Sequence, residues 1–362
     1  MNCQIGVGKN NDIQSAINEA TADIKNPKFM FISSEVEKFK EAFKLLYEKY
    51  PDTIIMGATG PAIPNGQVVD NSISILAIED GIEISAGVIK DVSKYPVNYI
   101  AEIESTVNKI DVGLEDTVCL EVCTGNEEVL VSTLYSLLYK KGIPLVGGTT
   151  QGNDEKGIKY IGFNGIIYED ACAYVLIKNL NGKIKVFKES IYSDKDEQLT
   201  ATKVNTKTRE ILELNGKNSV DVYCDKLGIS PNEIQTHNMT NPLGRKIGSD
   251  IFITAINPEN DKKTLKCYKK VNKNDVLTIL ELENYNEMIE TTLHKIKSEF
   301  NSISAIFSIN CIVRYLLFEK LNYIGEYSKK MNSLGKHFGI ISDGEQFINQ
   351  HVNQTMVCIV FE

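Results

Sequence analysis

A unit of apolar strand, helix, second apolar strand, glycine-containing turn and further strand is written three times along this chain. The first copy reads KFMFISS (28–34), EVEKFKEAFKLLYEKY (35–50), TIIMGATG (53–60) and SISILAI (72–78). The second reads TVCLEVCT (117–124), EEVLVSTLYSLLYKK (127–141), IPLVGGTTQG (143–152) and CAYVLI (172–177). The third reads ISAIFSIN (303–310), IVRYLLFEKLNY (312–323) with an extension, HFGIISDGE (337–345) and MVCIVFE (356–362). Ser33 and Gly57 stand as far apart in the chain as Cys123 and Gly147. Spacing held that closely points to repeated architecture. It also creates three strand-to-helix junctions, rich in small polar residues, that could face one cleft.

With 362 residues, roughly two domains are expected. Hydrophobic residues at 42% and charged residues at 24% fit an ordinary globular protein. The net charge of −9 argues against a nucleic-acid partner, which needs a basic face. No signal peptide and no membrane-length apolar run is seen, so no membrane partner is expected. The eight cysteines lie mostly within apolar runs and read as reduced, buried thiols. A cytoplasmic location is the expectation.

Between the first two copies, IEISAGVI (82–89) reads as a strand and VNYIAEIESTVNKI (97–110) as a helix. An earlier helix is expected over 11–25, from Ile13, Ile17, Ala20 and Ile24 at helical spacing. After the second copy, a polar stretch at 195–208 marks the domain boundary. The reading is an α/β fold with domains 1–205 and 206–362, each of mixed sheets covered by helices. Face-to-face stacking of the sheets would give a layered α-β-β-α arrangement.

Two segments carry candidate chemistry. Asn310-Cys311-Ile312-Val313-Arg314 ends a strand and opens a helix. A helix N-terminus lowers a thiol pKa and favours an anion, and Arg314 would add a fork for a carboxylate. The same residue types also suit a buried structural cysteine and an arginine tying the fold together. Ser342-Asp343-Gly344-Glu345, followed by Asn353-Gln354-Thr355, could hold an amine or hydroxyl, or could simply be turn chemistry. Zinc-knuckle, HExxH, P-loop and GxSxG patterns are missing, so no metal and no cofactor is assigned. The first two copies read as mainly architectural, without a charged group suited to a ligand.

Taken together, IIMGATG, CTGNEEVL, IPLVGGTTQGND and YIGFNGIIYEDACAYVLI resemble the N-terminal domain of the FIST family. The segments EILELNGKNSVDVYCDKLG, NPLGRKIG, FSINCIVR, FGIISDGEQF and VNQT resemble its C-terminal domain. The family's cysteine–arginine pair falls on Cys311 and Arg314, its glycine–glutamate on Gly344 and Glu345, and its asparagine–threonine on Asn353 and Thr355. The resemblance implies an intracellular sensory role in signal transduction, with a small ligand such as an amino acid and a signalling protein as partners. It does not imply catalysis. Ligand-binding candidates are therefore Asn310, Cys311, Arg314, Gly344, Glu345, Asn353 and Thr355. The alternatives are a protein-interaction scaffold and a thiol enzyme using Cys311.

Overall fold

The computed structural model describes residues 1–69, 71–152, 157–195, 197–248, 250–257 and 263–362. Asn153 and Asp154, which end the segment IPLVGGTTQGND, lie outside them. The chain opens with β1 (Asn2–Gly8), α1 (Ile13–Ala20), β2 (Phe29–Ser34), α2 (Val36–Lys49), β3 (Ile54–Thr59), β4 (Ala62–Pro64) and β5 (Ile73–Asp80). Next come β6 (Ile82–Lys90), α3 (Ile100–Val107), β7 (Thr117–Cys123), α4 (Glu127–Leu138), β8 (Leu145–Thr149), β9 (Ile161–Phe163), β10 (Ile166–Tyr168) and β11 (Ala171–Asn179). Strands β12 (Ile184–Glu189) and β13 (Tyr192–Asp194) lead into a smaller lobe. It holds β14 (Leu199–Asn205), β15 (Glu210–Leu214), β16 (Lys217–Asn218), α5 (Ser219–Leu227), α6 (Ile234–His237), β17 (Leu243–Ile247), β18 (Asp250–Thr254), β19 (Leu265–Lys266) and β20 (Val276–Leu282). The last group is α7 (Tyr285–Glu299), β21 (Ala305–Cys311), α8 (Ile312–Lys320), α9 (Ile324–Asn332), β22 (Lys336–Ser342), β23 (Glu345–Phe347), β24 (Gln350–Val352) and β25 (Met356–Phe361).

The fold is α/β with several mixed sheets, three of which share a central pattern. Strands β2 and β3 run parallel, with β5 antiparallel on the far side of β2. The same holds for β7, β8 and β11, and for β21, β22 and β25. One helix joins each of the first two parallel pairs and two join the third, because parallel neighbours need a long crossover. These strands are near-continuous apolar runs because both their faces are buried. In β2, Phe29 and Phe31 enter the core common to the three sheets, while Met30 and Ile32 meet α1 and α2. Phe31, Phe307 and Phe338 meet at that centre, with ring centroids 5.0 to 6.1 Å apart. Helices α3 and α4 cover the second sheet, and α7, α8 and α9 the third.

The strand after each parallel pair leaves its own sheet. From the first sheet, β4 crosses to pair with β22 of the third. From the second, β9 crosses to β3 of the first. From the third, β23 crosses to β8 of the second. The exchange is cyclic, and its crossing segments bond to one another. Gln151 N donates to Thr59 O (3.0 Å), Ile341 N to Pro61 O (3.0 Å), and Asp343 N to Thr149 O (2.9 Å). Strand β14 runs through the polar 195–208 stretch and pairs with β15 and β20 in the smaller lobe. The helix expected over 312–323 with an extension is two, α8 and α9, because Asn322 between them adopts a left-handed φ of 55°.

Candidate functional site

A cleft of about 260 Å³ opens where the crossing segment after β22 meets the N-terminus of α8. Cys311, Ile312 and Val313 form one wall, and Asp343 and Asn353 border it. Glu127 enters from the N-terminus of α4, Lys159 from before β9, and Arg209, Ala255 and Tyr268 from the smaller lobe. The cleft is therefore assembled from the second and third sheets and the lobe.

Its charges arrive in pairs. Arg209, at a left-handed φ of 57°, donates through Nη2 to Glu127 (2.8 Å) and Glu128 (3.4 Å), and through Nη1 to Tyr268 O. Burial alone would raise the Glu127 carboxyl, yet it is held below the ordinary carboxylate range. Burial keeps His351 below its ordinary range and so uncharged near neutrality. The Arg209 charge and Glu127's own N–H then supply the stabilisation of the carboxylate. Across the cleft, Lys159 pairs with Asp343. Asn353, 1% exposed, accepts from Ala255 N (3.3 Å), but among the described residues its Nδ2 has no hydrogen-bond partner. A buried donor left unpaired this way costs about 1–3 kcal/mol.

The seven candidates separate into three groups. Cys311 and Asn353 line the cleft. Gly344, Glu345 and Thr355 lie behind that wall as scaffolding. Glu345 accepts from Ser342 Oγ (3.1 Å), Thr355 N (3.2 Å) and Thr355 Oγ1 (2.7 Å). Burial pushes its carboxyl up to about 8 against those bonds, so near pH 7 it is neutral and unsuited to pairing with an ammonium. Gly344 has a φ of 146°, and a Cβ there would come within 2.5 Å of His351 Cε1. Asn310 is turned beneath α9, accepting from Tyr327 Oη (2.8 Å) and donating to Ser308 Oγ (3.2 Å).

Arg314 corrects the expectation that it neutralises a ligand's carboxylate. It is 0% exposed, paired with Glu189, and lies 4.6 Å from the Phe318 ring centroid and 5.2 Å from that of Tyr327. Burial raises the Glu189 carboxyl against the opposing Arg314 charge, while Arg314, which burial alone would push down, is held up by Glu189. The helix starting at Ile312 turns residue 314 inward under α7 and α9, away from the cleft. The expected lowering of the Cys311 pKa is also overturned. Val313, Arg314 and Gln354 N–H groups favour its thiolate, but complete burial and the nearby Glu345 outweigh them and raise the thiol well above its ordinary value. A protonated thiol is a poor nucleophile.

Arg209 and Lys159 were missed, since neither sits in a distinctive motif. Glu127 was visible within CTGNEEVL, and its place in the cleft shows that the second copy is not merely architectural. Among the described residues, no group of His, Cys, Asp and Glu side chains is placed to hold a metal ion. No described helix is long and apolar enough to cross a membrane.

A comparison with curated proteins matched none. Among solved structures, one of PurLQS from Thermotoga maritima matches over 99% of this chain and 71% of that one, at 9% identity and a TM-score of 0.22. A likeness that slight carries no argument. The FIST N domain matches residues 28–217 and the FIST C domain residues 219–348, a combination associated with sensory roles in signal transduction. The chain belongs to the FIST family.

Proposed function

We propose that this protein is an intracellular sensor that binds a small polar ligand of the amino-acid class in the cleft beside Cys311 and Asn353. The observation that carries the reading is the unpartnered Asn353 Nδ2 in a cleft edged by both signs of charge. A ligand carboxylate would take that donor and compete with Glu127 for the Arg209 fork. The positive end of α8 favours the same charge. The ligand's ammonium group would meet Asp343, displacing Lys159. A volume of about 260 Å³ suits a small metabolite rather than a drug-sized molecule.

A thermal-shift screen of amino acids and related metabolites tests this on the wild type, Arg209→Ala and Asn353→Ala. A ligand that stabilises the wild type and loses at least tenfold in affinity in both variants supports the assignment. No stabilising ligand, or equal stabilisation of all three proteins, overturns it. A second reading, a scaffold that recruits a signalling protein, draws on the exposed side chains of Tyr95, Val97 and Ile100. Binding of a protein partner that survives Arg209→Ala but fails in Tyr95→Ser/Val97→Ser would favour it.

A further inference from the structure

Near Glu128, two lysines gather at one aromatic ring and an arginine stands opposite it in the neighbouring strand. Lys188 Nζ lies 4.2 Å and Lys269 Nζ 5.9 Å from the centroid of Phe252. Arg245 stands directly opposite Phe252 in the β17–β18 ladder, so its side chain shares that face. Lys188 comes from β12, Arg245 from β17, and Lys269 from the segment between β19 and β20.

The acids of this neighbourhood are already engaged. Asp250 pairs with Lys188, and Asp275 with Arg245. Glu128 receives Arg209 and Lys270, and Glu127 also pairs with Arg209. Among the described residues, four carboxylates thus meet four cations, and Lys269 is a fifth cation with none of its own. It is 5% exposed, and among the described residues its Nζ has no hydrogen-bond partner. The Nε of Arg245 is likewise buried and unpartnered, while its Nη2 donates to Gln350 Oε1 at 3.0 Å. Two adjacent elements therefore present unused donors, and one positive charge lacks a counterion. Burial first, then the Arg245 charge, lowers Lys269 to about 7, with Glu128 and Asp275 opposing and Lys188 adding to the effect. His351 on β24 is the remaining titratable group that senses this amine.

We propose that Lys269 Nζ and Arg245 Nε form the floor of a second site, distinct from the cleft, that binds a small oxyanion of one negative charge. A carboxylate or a monoanionic phosphate has the acceptor oxygens to satisfy both donors and the charge to balance Lys269. Arg245 and Lys188, whose side chains are 26% and 11% exposed, border the route from solvent. Occupation of the site would tie the lobe to β12 and β24 across the Phe252 ring.

The test uses the full chain at low ionic strength, titrated with acetate and with inorganic phosphate against matched chloride. Saturable stabilisation by either anion beyond chloride is expected, and its absence with both overturns the proposal. Acetate keeps its charge between pH 6 and pH 8, so its affinity should be about tenfold higher at pH 6, where Lys269 is charged. Lys269→Met should abolish the response while leaving the cleft ligand's affinity unchanged, which separates failure of this site from failure of the cleft. If that variant does not fold, Arg245→Gln serves, with at least a tenfold loss expected. An unchanged anion response in the folded variant overturns the assignment. Phosphate binding without acetate binding identifies a tetrahedral oxyanion site, and the reverse a carboxylate site.

Discussion

Replacing Arg314 by methionine would leave the Glu189 carboxylate buried without its countercharge. Breaking a buried pair from one side costs about 3–5 kcal/mol, whereas replacing both partners is often far milder. Urea denaturation should therefore show Arg314→Met strongly destabilised and Arg314→Met/Glu189→Gln largely recovered, both with cleft affinity intact. Loss of ligand binding without loss of stability in Arg314→Met would instead return Arg314 to the site. Glu345 offers a pH test. Burial lifts its folded pKa to about 8, above the ordinary carboxylate value of 4.5. The native state thus binds more protons than the unfolded state between those values, and stability from this group falls as pH rises through that window. The stability of Glu345→Gln relative to wild type should accordingly increase from about pH 4.5 to pH 8 and level off above it. A flat difference would mean that Glu345 is ionised in the fold.

At the scale of elements, the turn from β22 into β23 brings cleft and fold together. Gly344 holds a φ of 146° there, and its carbonyl accepts from Thr149 N at 2.9 Å. Gly344→Ala would add backbone strain and a contact with the buried His351, costing about 1–3 kcal/mol. Because this turn also positions Asp343, the variant should weaken ligand binding as well as lower the melting temperature. A full-affinity variant with lowered stability would show that the turn supports the fold alone. The strands that form the parallel pairs were legible in the sequence because burial on both faces writes them as apolar runs. The exchanged strands β4, β9 and β23 were not, since strands as short as Ala62–Pro64 leave no periodicity to read. Helix α8 shows the same limit: its apolar spacing was visible, but not which neighbour would receive residue 314.

For the whole molecule, cyclic strand exchange makes the sheets interdependent. A fragment of residues 1–205 would lack β22 as partner for β4 and β23 as partner for β8. Each would then expose an unpaired edge, a known route to aggregation. Fragments 1–205 and 206–362 should be poorly soluble apart and should associate when co-expressed. Two independently folded, monomeric fragments with sharp melting transitions would contradict this. Phe307→Ala, at the meeting point of the sheets, is expected to cost about 3–5 kcal/mol and to lower the midpoint of a single unfolding transition.

By itself, the sequence determined the α/β class, the buried strands, the connecting helices and the family, because apolar patterning and ordered motifs are local records. Of the residues it singled out, Cys311 and Asn353 line the cleft. Tertiary structure alone decided that Arg209 lines the cleft while Arg314 is buried against Glu189, and that burial raises both the Cys311 thiol and the Glu345 carboxyl. Each of those outcomes depends on desolvation and on partners distant in the chain, and neither is written in residue type or spacing.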